Sequence, residues 1–307
     1  MEKENYDFFV SSEIKATEKF SIRPGIRASA QSKFKDQQAS SLALRYLLEK
    51  GIEIRSSYGN SFRTPSFEEL YSKQIFDGHF FAGNENLIPE TSTSYEMSFK
   101  KNSFLASDLQ INTTFSGSFL NIKNRIDMAL VRFNTDTGNP EYEYINISKY
   151  KMWNFSTTNQ FKKENWTFNI GAAIIGISQK IENQVFASNE KYLYSFNLNS
   201  SVSYVVPKWN TTFSTYYKFN GKSQQFVEGA TEYIVSTIDS SHWLDASIRK
   251  TFFKDKLETT IGARNLLNIT SINQSRTNEG AGHATSSQIM LAYGRSYFLK
   301  LTYNLNF

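Results

Sequence analysis

The connections between the regular stretches of this chain are sorted by length, and that constrains its fold more than any single motif. Thirteen stretches alternate apolar and polar residues, the period of two that marks a strand with one apolar and one wet face. The first pair carries Tyr6, Phe8, Val10 and Ile14, then Phe20, Ile22 and Ile26 after a turn at Thr17–Lys19. The second runs from Leu42, Leu44, Tyr46 and Leu48 through Lys50 and Gly51 to Ile52, Ile54 and Tyr58. Then come Tyr95, Met97 and Phe99 with Leu109, Ile111, Phe115 and Phe119, and Trp153, Phe155 and Phe161 with Trp166, Phe168 and Ile170. The fifth pair joins Tyr192, Tyr194, Phe196, Leu198, Val202 and Tyr204 to Trp209, Phe213, Tyr217 and Phe219 through Pro207 and Lys208. Leu244, Ala246 and Ile248, a turn at Lys254–Lys256, and Leu257, Ile261 and Ala263 make the sixth. Within a pair the connection is short. Between pairs it is long and polar: Gln31–Ala39, Asn60–Thr91, Val131–Glu141, Gln179–Glu190, Gly221–Asp239 and Asn268–Gly294. Short turns at one end and long loops at the other are the pattern of a bacterial outer-membrane β-barrel. A soluble sandwich has no reason to sort its loops this way.

The last stretch stands alone. From Tyr297 to Phe307 every odd position is apolar, and apart from Phe298 the even positions are Lys300, Thr302, Asn304 and Asn306. At ~3.4 Å per residue and a tilt near ~40°, such a strand rises roughly 28 Å, close to the ~25 Å apolar band of a membrane barrel. Composition permits this. Hydrophobic content is 39% and mean hydropathy −0.46, with no apolar run long enough for a membrane helix, but a barrel shows lipid only half of each strand. The 26 Phe and 17 Tyr exceed what a soluble core requires. Absence of cysteine excludes a disulfide scaffold and thiolate metal sites. The 34 basic and 29 acidic residues are scattered, so no nucleic-acid stripe is expected. The opening residues, Met1 to Tyr6, have neither the basic nor the apolar region of a signal peptide, which places any leader upstream.

An odd number of strands cannot close an up-and-down meander with antiparallel pairing at the seam. The expectation is an open, curved sheet over residues 1–307, the C-terminal portion of a larger antiparallel up-and-down transmembrane β-barrel. Its first strand, Tyr6–Ala16, would carry an unpaired edge that recruits other chains.

Two boxes lie in the loop after the fourth strand. In the first, Phe62, Arg63, Thr64 and Pro65 precede Ser66, with Glu69 three residues on, a capping box that opens a short helix. In the second, Gly83, Asn84, Glu85 and Asn86 supply turn chemistry, and Leu87, Ile88, Pro89 and Glu90 lead into Ser94, Tyr95 and Glu96. In order and spacing the pair resembles the TonB-dependent outer-membrane receptors, with their Phe-Arg-x-Pro and Asn-x-Asn-Leu-x-Pro-Glu boxes. Gly262 to Asn268 resembles the family's penultimate strand. Tyr303, Leu305 and Phe307 match the terminal assembly signal that the barrel-assembly machinery reads. The resemblance implies about thirteen strands of a twenty-two-stranded barrel, without the plug domain and its TonB-engaging box. It further implies energy-coupled uptake, in the Gram-negative outer membrane, of a scarce bulky ligand: a siderophore, haem, cobalamin or a glycan. Such a protein is a transporter in contact with lipid and, through a plug, with the TonB complex; it is not an enzyme and carries no resident cofactor or metal. A structural or adhesive soluble β-protein is the first alternative, and an outer-membrane barrel enzyme the second.

Candidate ligand contacts lie near the mouth: Arg63, Tyr71, Phe76, His79, Phe80 and Phe81. His79 stands where haem receptors of the family carry an iron ligand, but a solvated loop histidine is commoner. Ser241, His242 and Asp245 invite a catalytic reading, yet Ser241 and His242 face opposite sides of a strand. His283 sits among loop residues and says little. Arg23, Arg27, Arg45, Glu53, Arg55, Glu96, Asp245, Arg249 and Arg264 follow the wet phase of their strands and should pair across a hydrated interior.

Overall fold

The computed structural model describes residues 4–76, 79–105, 108–134, 139–180, 191–228, 233–253, 256–275 and 288–304. Thirteen strands follow one another in an antiparallel meander inside a 16-stranded sheet. They are Asn5–Ser11, Phe20–Gln31, Gln37–Leu48, Ile52–Arg63, Glu90–Leu105, Leu109–Phe133, Pro140–Lys163, Trp166–Lys180, Tyr192–Val206, Thr211–Asn220, Ser241–Phe252, Leu257–Arg264 and Ser296–Tyr303. Each alternating stretch of the sequence falls on one of them, apart from Ile14 and Trp209. The final strand is described as far as Tyr303; Leu305 and Phe307 lie outside the described residues, as does His283.

The apolar stripes do not enter a dry core. Tyr297, Leu299, Leu301 and Tyr303 are 60–74% exposed, and Phe196, Trp209 and Phe213 are exposed as well. Tyr192, Leu198, Val202 and Tyr217 are half-buried among their neighbours, none of them enclosed. A soluble sandwich would bury these side chains between two sheets. Cross-strand register gathers their rings into two bands. Tyr58 stands opposite Tyr95, Tyr95 opposite Phe119 and Phe119 opposite Trp153. Ring centroids are 4.9 Å apart for Tyr58 and Tyr95 and 4.3 Å for Phe119 and Trp153. Near the short turns, Phe161 lies against Phe168 at 5.9 Å and Trp166 against Tyr204 at 4.4 Å. On the strand Tyr192–Val206, the step from Tyr194 to Tyr204 is ten residues, or ~26 Å of height at a ~40° tilt. That spacing matches the ~25 Å between the aromatic girdles of a membrane barrel.

Short connections at one end and longer ones at the other follow from the meander, with refinements. The strands Leu109–Phe133 and Pro140–Lys163 run 25 and 24 residues, so both ends of the expected loop Val131–Glu141 belong to strands. The connection after Gln31 ends by Gln37, shorter than expected. Two other long connections hold hairpins, Ser223–Glu228 with Tyr233–Ile238 and Ser271–Asn273 with Gln288–Met290. Trp209, expected in a strand, belongs instead to the turn Pro207–Trp209, where Asn210 closes the reversal at φ +47°.

Among the described residues the sheet does not close. Asn5–Ser11 pairs with Phe20–Gln31 on one side, and Ser296–Tyr303 with Leu257–Arg264 on one side. As first and thirteenth strands of a meander, the two edges run in the same direction. The expected unbroken strand Tyr6–Ala16 is interrupted at Ser12 and Glu13 before Ile14 and Lys15 rejoin the ladder.

Candidate functional site

At the long-loop end, the segment between Arg63 and Glu90 folds into a small packed unit on the side of the projecting ribbon 109–163. Ser66 caps the helix Phe67–Tyr71 as the sequence predicts: Glu69 N–H donates to Ser66 Oγ at 3.2 Å, and Ser66 N–H donates to Glu69 Oε2 at 2.7 Å. The same carboxylate takes both bonds from Arg63 Nη1, each 2.9 Å, while Arg63 Nη2 donates to Glu90 Oε1 at 2.7 Å. Glu90 Oε1 also accepts from Ile126 N–H at 2.6 Å. One guanidinium therefore ties the first box, the helix and the second box together, and Glu90 ties all three to the ribbon. Burial alone would raise the Glu69 carboxyl, but the Ser66 and Arg63 donors outweigh it and hold it below the usual carboxylate range.

Beneath the ion network is a dry cluster: Leu70, Leu87 and Ile126 are 1%, 3% and 6% exposed, flanked by Phe34, Tyr71 and Tyr144. Pro65 is buried beside it. Asn84 Nδ2 donates to Tyr144 O at 3.0 Å, and Asn86 N–H donates to Asn84 Oδ1 at 2.9 Å. Asn146 accepts from Ile88 N–H at 3.0 Å and donates to Ile88 O at 2.9 Å. Gly83 has no substitute here, because a Cβ on it would lie 2.5 Å from the backbone of Leu70 and Tyr71. Phe62, Arg63, Pro65, Asn84, Asn86, Leu87, Pro89 and Glu90 thus bracket one architectural clamp; Phe62 lies with its ring 5.3 Å from the Arg27 guanidinium.

The candidate ligand contacts are not all brought together. Arg63 is committed to two carboxylates, and Tyr71 packs against the cluster while its hydroxyl accepts from Lys33 Nζ at 2.5 Å. Lys73–Phe76 and His79–Ala82 form a small ribbon, whose second strand pairs in parallel with Glu141–Glu143. His79 and Phe81 share a face and stack with Tyr142, at 6.2 Å between His79 and Phe81 and 5.2 Å between Phe81 and Tyr142. Phe80 occupies the opposite face by alternation, and Phe76 is placed as the backbone partner of His79. Tyr142 was invisible to the sequence as a partner of His79, since the parallel pairing joins segments sixty residues apart.

The wet face of the sheet is laced by cross-strand ion pairs and hydrogen bonds. Arg27 pairs with Asp7 at 2.8 Å, Arg23 with Glu13 at 2.9 Å, and Glu53 bridges Arg45 at 2.8 Å and Arg55 at 2.6 Å. Arg249 pairs with Glu258 at 3.6 Å, Asp245 accepts from Asn265 N–H, and Arg264 lies over the Phe298 ring. Between these charged flanks the wall carries a row of amides. Asn112 Nδ2 donates to Gln160, Gln160 Nε2 to Asn169, and Asn169 Nδ2 to Ser201 Oγ, a relay of amides across four strands. Glu96 lies in that stretch, between the cross-strand partners Ser57 and Ser118. A concavity of about 940 Å³ lies elsewhere: it opens among Tyr95, Phe115, Gly117, Phe155, Ala172 and Ile174 on the apolar face. Its lining is that of a dent which acyl chains fill rather than a site for chemistry.

No catalytic arrangement joins Ser241, His242 and Asp245. His242 Nδ1 meets Tyr217 Oη at 2.7 Å on the apolar face, beside Phe219, whereas Ser241 Oγ accepts from Asn220 on the other. Among the described residues no cluster of His, Asp or Glu is arranged to hold a metal ion.

A family model for the TonB dependent receptor-like β-barrel matches residues 1–266. Solved structures give the same fold at low identity. The siderophore receptor PirA of Acinetobacter baumannii superposes with a TM-score of 0.71 at 16% identity, over 98% of this chain and 46% of that one. A mutant of the ferric enterobactin receptor of Pseudomonas aeruginosa gives 0.71 at 14% identity, over 98% and 45%. The FrpB iron transporter of Neisseria meningitidis gives 0.69 at 13% identity, again over 98% and 45%. The chain spans about half the length of the structures it matches.

Proposed function

This chain belongs to the TonB-dependent receptors, a family of outer-membrane transport proteins, and on that premise we propose that it supplies the C-terminal barrel wall and outer mouth of an uptake receptor for an iron complex of the siderophore class. The observation that carries this is the division of labour between the faces of one sheet. An apolar face with two aromatic bands about one membrane thickness apart backs onto a polar face laced by cross-strand hydrogen bonds and ion pairs, as the wall of a wide lumen requires. The clamp at the long-loop end holds a rigid mouth, and the ribbon with His79, Phe81 and Tyr142 offers stacked rings for a bulky planar ligand. The reading is of a transporter rather than an enzyme. It requires a plug to gate the lumen and to couple to TonB, the barrel-assembly machinery to insert the strands, and further strands to complete the wall. Domain limits of 1–307 for this portion, and the supply of the plug from outside it, are part of the proposal.

Ligand choice rests on the neighbours, whose names include siderophore, ferric enterobactin and iron. The test is accumulation of radiolabelled ferric siderophores by iron-starved cells with and without this protein, in parent and tonB-deficient backgrounds. Uptake that needs both the protein and TonB is expected. Equal accumulation in all four strains, across catecholate, hydroxamate and haem-iron panels, would sink the proposal.

A further inference from the structure

One sheet edge at the long-loop end has no strand beside it. The ribbon of Lys73–Phe76 and His79–Ala82 joins the main sheet at Glu141–Glu143, so the local strand order is 109–133, 140–163, 79–82, 73–76. Among the described residues nothing pairs with the far side of Lys73–Phe76. Gly83 N–H donates to Ser72 O at 2.6 Å, which makes these two a hydrogen-bonded pair of the antiparallel ladder. Such pairs recur at every second residue, so Gln74 and Phe76 turn their backbone groups inward, to Phe81 and His79. Lys73 and Ile75 turn theirs outward, two N–H and two C=O groups along one open edge. The side chains agree with this. Ile75 is 79% exposed, and Lys73 and Gln74 are exposed beside it. Lys73 takes part in no ion pair among the described residues. Neither proline nor a bulge, two usual guards of an open edge, interrupts Lys73–Phe76.

We infer that this edge is a docking site for an extended peptide, added as one more strand, with an apolar residue opposite Ile75 and a carboxylate opposite Lys73. The backbone groups of an edge accept any extended chain, and the side chains beside them set which chain is preferred. Lys73 and Ile75 are two residues apart and share a face, so the peptide must carry its carboxylate and its apolar group at the same spacing. Antiparallel addition places the apolar residue first in the peptide and the carboxylate two residues later. Position rules out lipid as the occupant. Glu141–Glu143 lies ten to twelve residues along its strand from Trp153 of the outer aromatic band. At a tilt of ~40° that is about 25–30 Å further out, beyond the ~5–8 Å headgroup layer and in water. Area argues against a second copy of the chain. Two outward residues bury far less than the ~1,200 Å² of a stable protein interface, but they suit a short linear segment. The inference rests on the barrel-wall reading for placing the edge outside the cell, and its test separates the two.

The receptor, purified in non-ionic detergent, is titrated with the fluorescein-labelled peptide Gly-Thr-Val-Thr-Glu-Thr-amide, read by fluorescence polarisation. Saturable binding is expected. Methylating the Val and Glu nitrogens of the peptide removes two ladder bonds and should weaken binding about tenfold. Lysine in place of the peptide's glutamate should weaken it about threefold, and the Lys73→Glu variant should reverse that preference. Ile75→Pro, whose lost N–H faces away from the ribbon, should also bind about tenfold more weakly. Amide exchange supplies the second readout. Lys73 and Ile75 should exchange freely without peptide and slowly with it, while Gln74 and Phe76 stay protected throughout. Should Ile75→Pro unsettle the ribbon, faster exchange at Gln74 will show it, and the methylated peptide then carries the test on the parent protein. Equal binding of methylated and unmethylated peptides overturns the inference, as does the absence of saturable binding. Protection of Lys73 and Ile75 without peptide overturns it as well: at every protein concentration another segment of the receptor holds the edge, and with rising concentration a second copy does. In whole cells the Ile75→Cys variant, in a chain with no cysteine of its own, should react with a membrane-impermeant maleimide. Failure to react, with peptide binding intact in detergent, overturns the wall reading and leaves the docking site standing.

Discussion

The membrane wall and the loop clamp solve the burial problem in opposite ways. In the wall no side chain of the apolar stripes is enclosed, and cohesion comes from backbone ladders, ring-to-ring rows and cross-strand polar pairs. In the clamp a few residues make a miniature globular core, Leu70, Leu87 and Ile126, roofed by the ion network of Arg63, Glu69 and Glu90. The difference is one of solvent. A lipid-facing residue exchanges one apolar environment for another and gains little from neighbours, whereas a loop surrounded by water must bury its own apolar atoms to hold a shape. Identical substitutions should therefore have unequal effects in the two regions.

Leu70→Ala is expected to have the largest effect, about 2–5 kcal/mol, because it opens a cavity in a cluster that cannot collapse. Limited proteolysis between residues 64 and 89 should speed up while the barrel's heat-resistant migration on gels is unchanged. Unchanged cleavage would show that the clamp has no core of its own. In the wall, Ile174→Ala should be nearly silent, since lipid fills the gap, whereas Ile174→Arg should cost about 2–4 kcal/mol in refolding titrations into lipid. A large effect of the alanine change would mean that protein, rather than lipid, covers this face.

Smaller effects sharpen the picture within the clamp. Glu90→Ala removes an acceptor shared by Arg63 and Ile126 N–H, and about 1–3 kcal/mol of local stability should go with it. Amide exchange at Ile126 would report this directly. Ser66→Ala loses the cap of a five-residue helix and should cost about 1 kcal/mol, seen as faster exchange at Glu69 alone. Acidification should loosen the clamp last. The Glu69 carboxyl titrates lower in the folded protein than in the open loop, so its contribution is complete above the ordinary carboxylate range and is lost as pH falls through the depressed value. Protection of the residue 66–72 amides, corrected for the intrinsic exchange rate at each pH, should be flat down to about pH 5 and fall below it. A fall at neutral pH instead would point to a different titrating group.

Much of the architecture was legible because a strand writes its two faces into alternate residues. The stripe Tyr192, Tyr194, Phe196, Leu198 and the polar phase Arg23, Arg27, Arg45, Arg55 each predicted a face, and the structure agrees. Ser66 with Glu69 was legible because a capping box is complete within four residues. Arg63 and His79 were found as residues of interest, but not what they touch. Arg63 was expected among ligand contacts, and its place as the bolt of the clamp was not foreseen, because its partner Glu90 lies across a connection whose folding no local pattern encodes.

The sequence by itself determined the strand order, the direction of each face and the end at which the long connections gather. These follow from chain connectivity and from a period of two, which are local properties. Only the tertiary structure decided which distant residues meet: Leu87 on Ile126, His79–Ala82 in parallel beside Glu141–Glu143, and Lys123 opposite Lys149. Those meetings depend on register, and a slip of one residue leaves the sequence pattern nearly as good while exchanging every partner across the ladder.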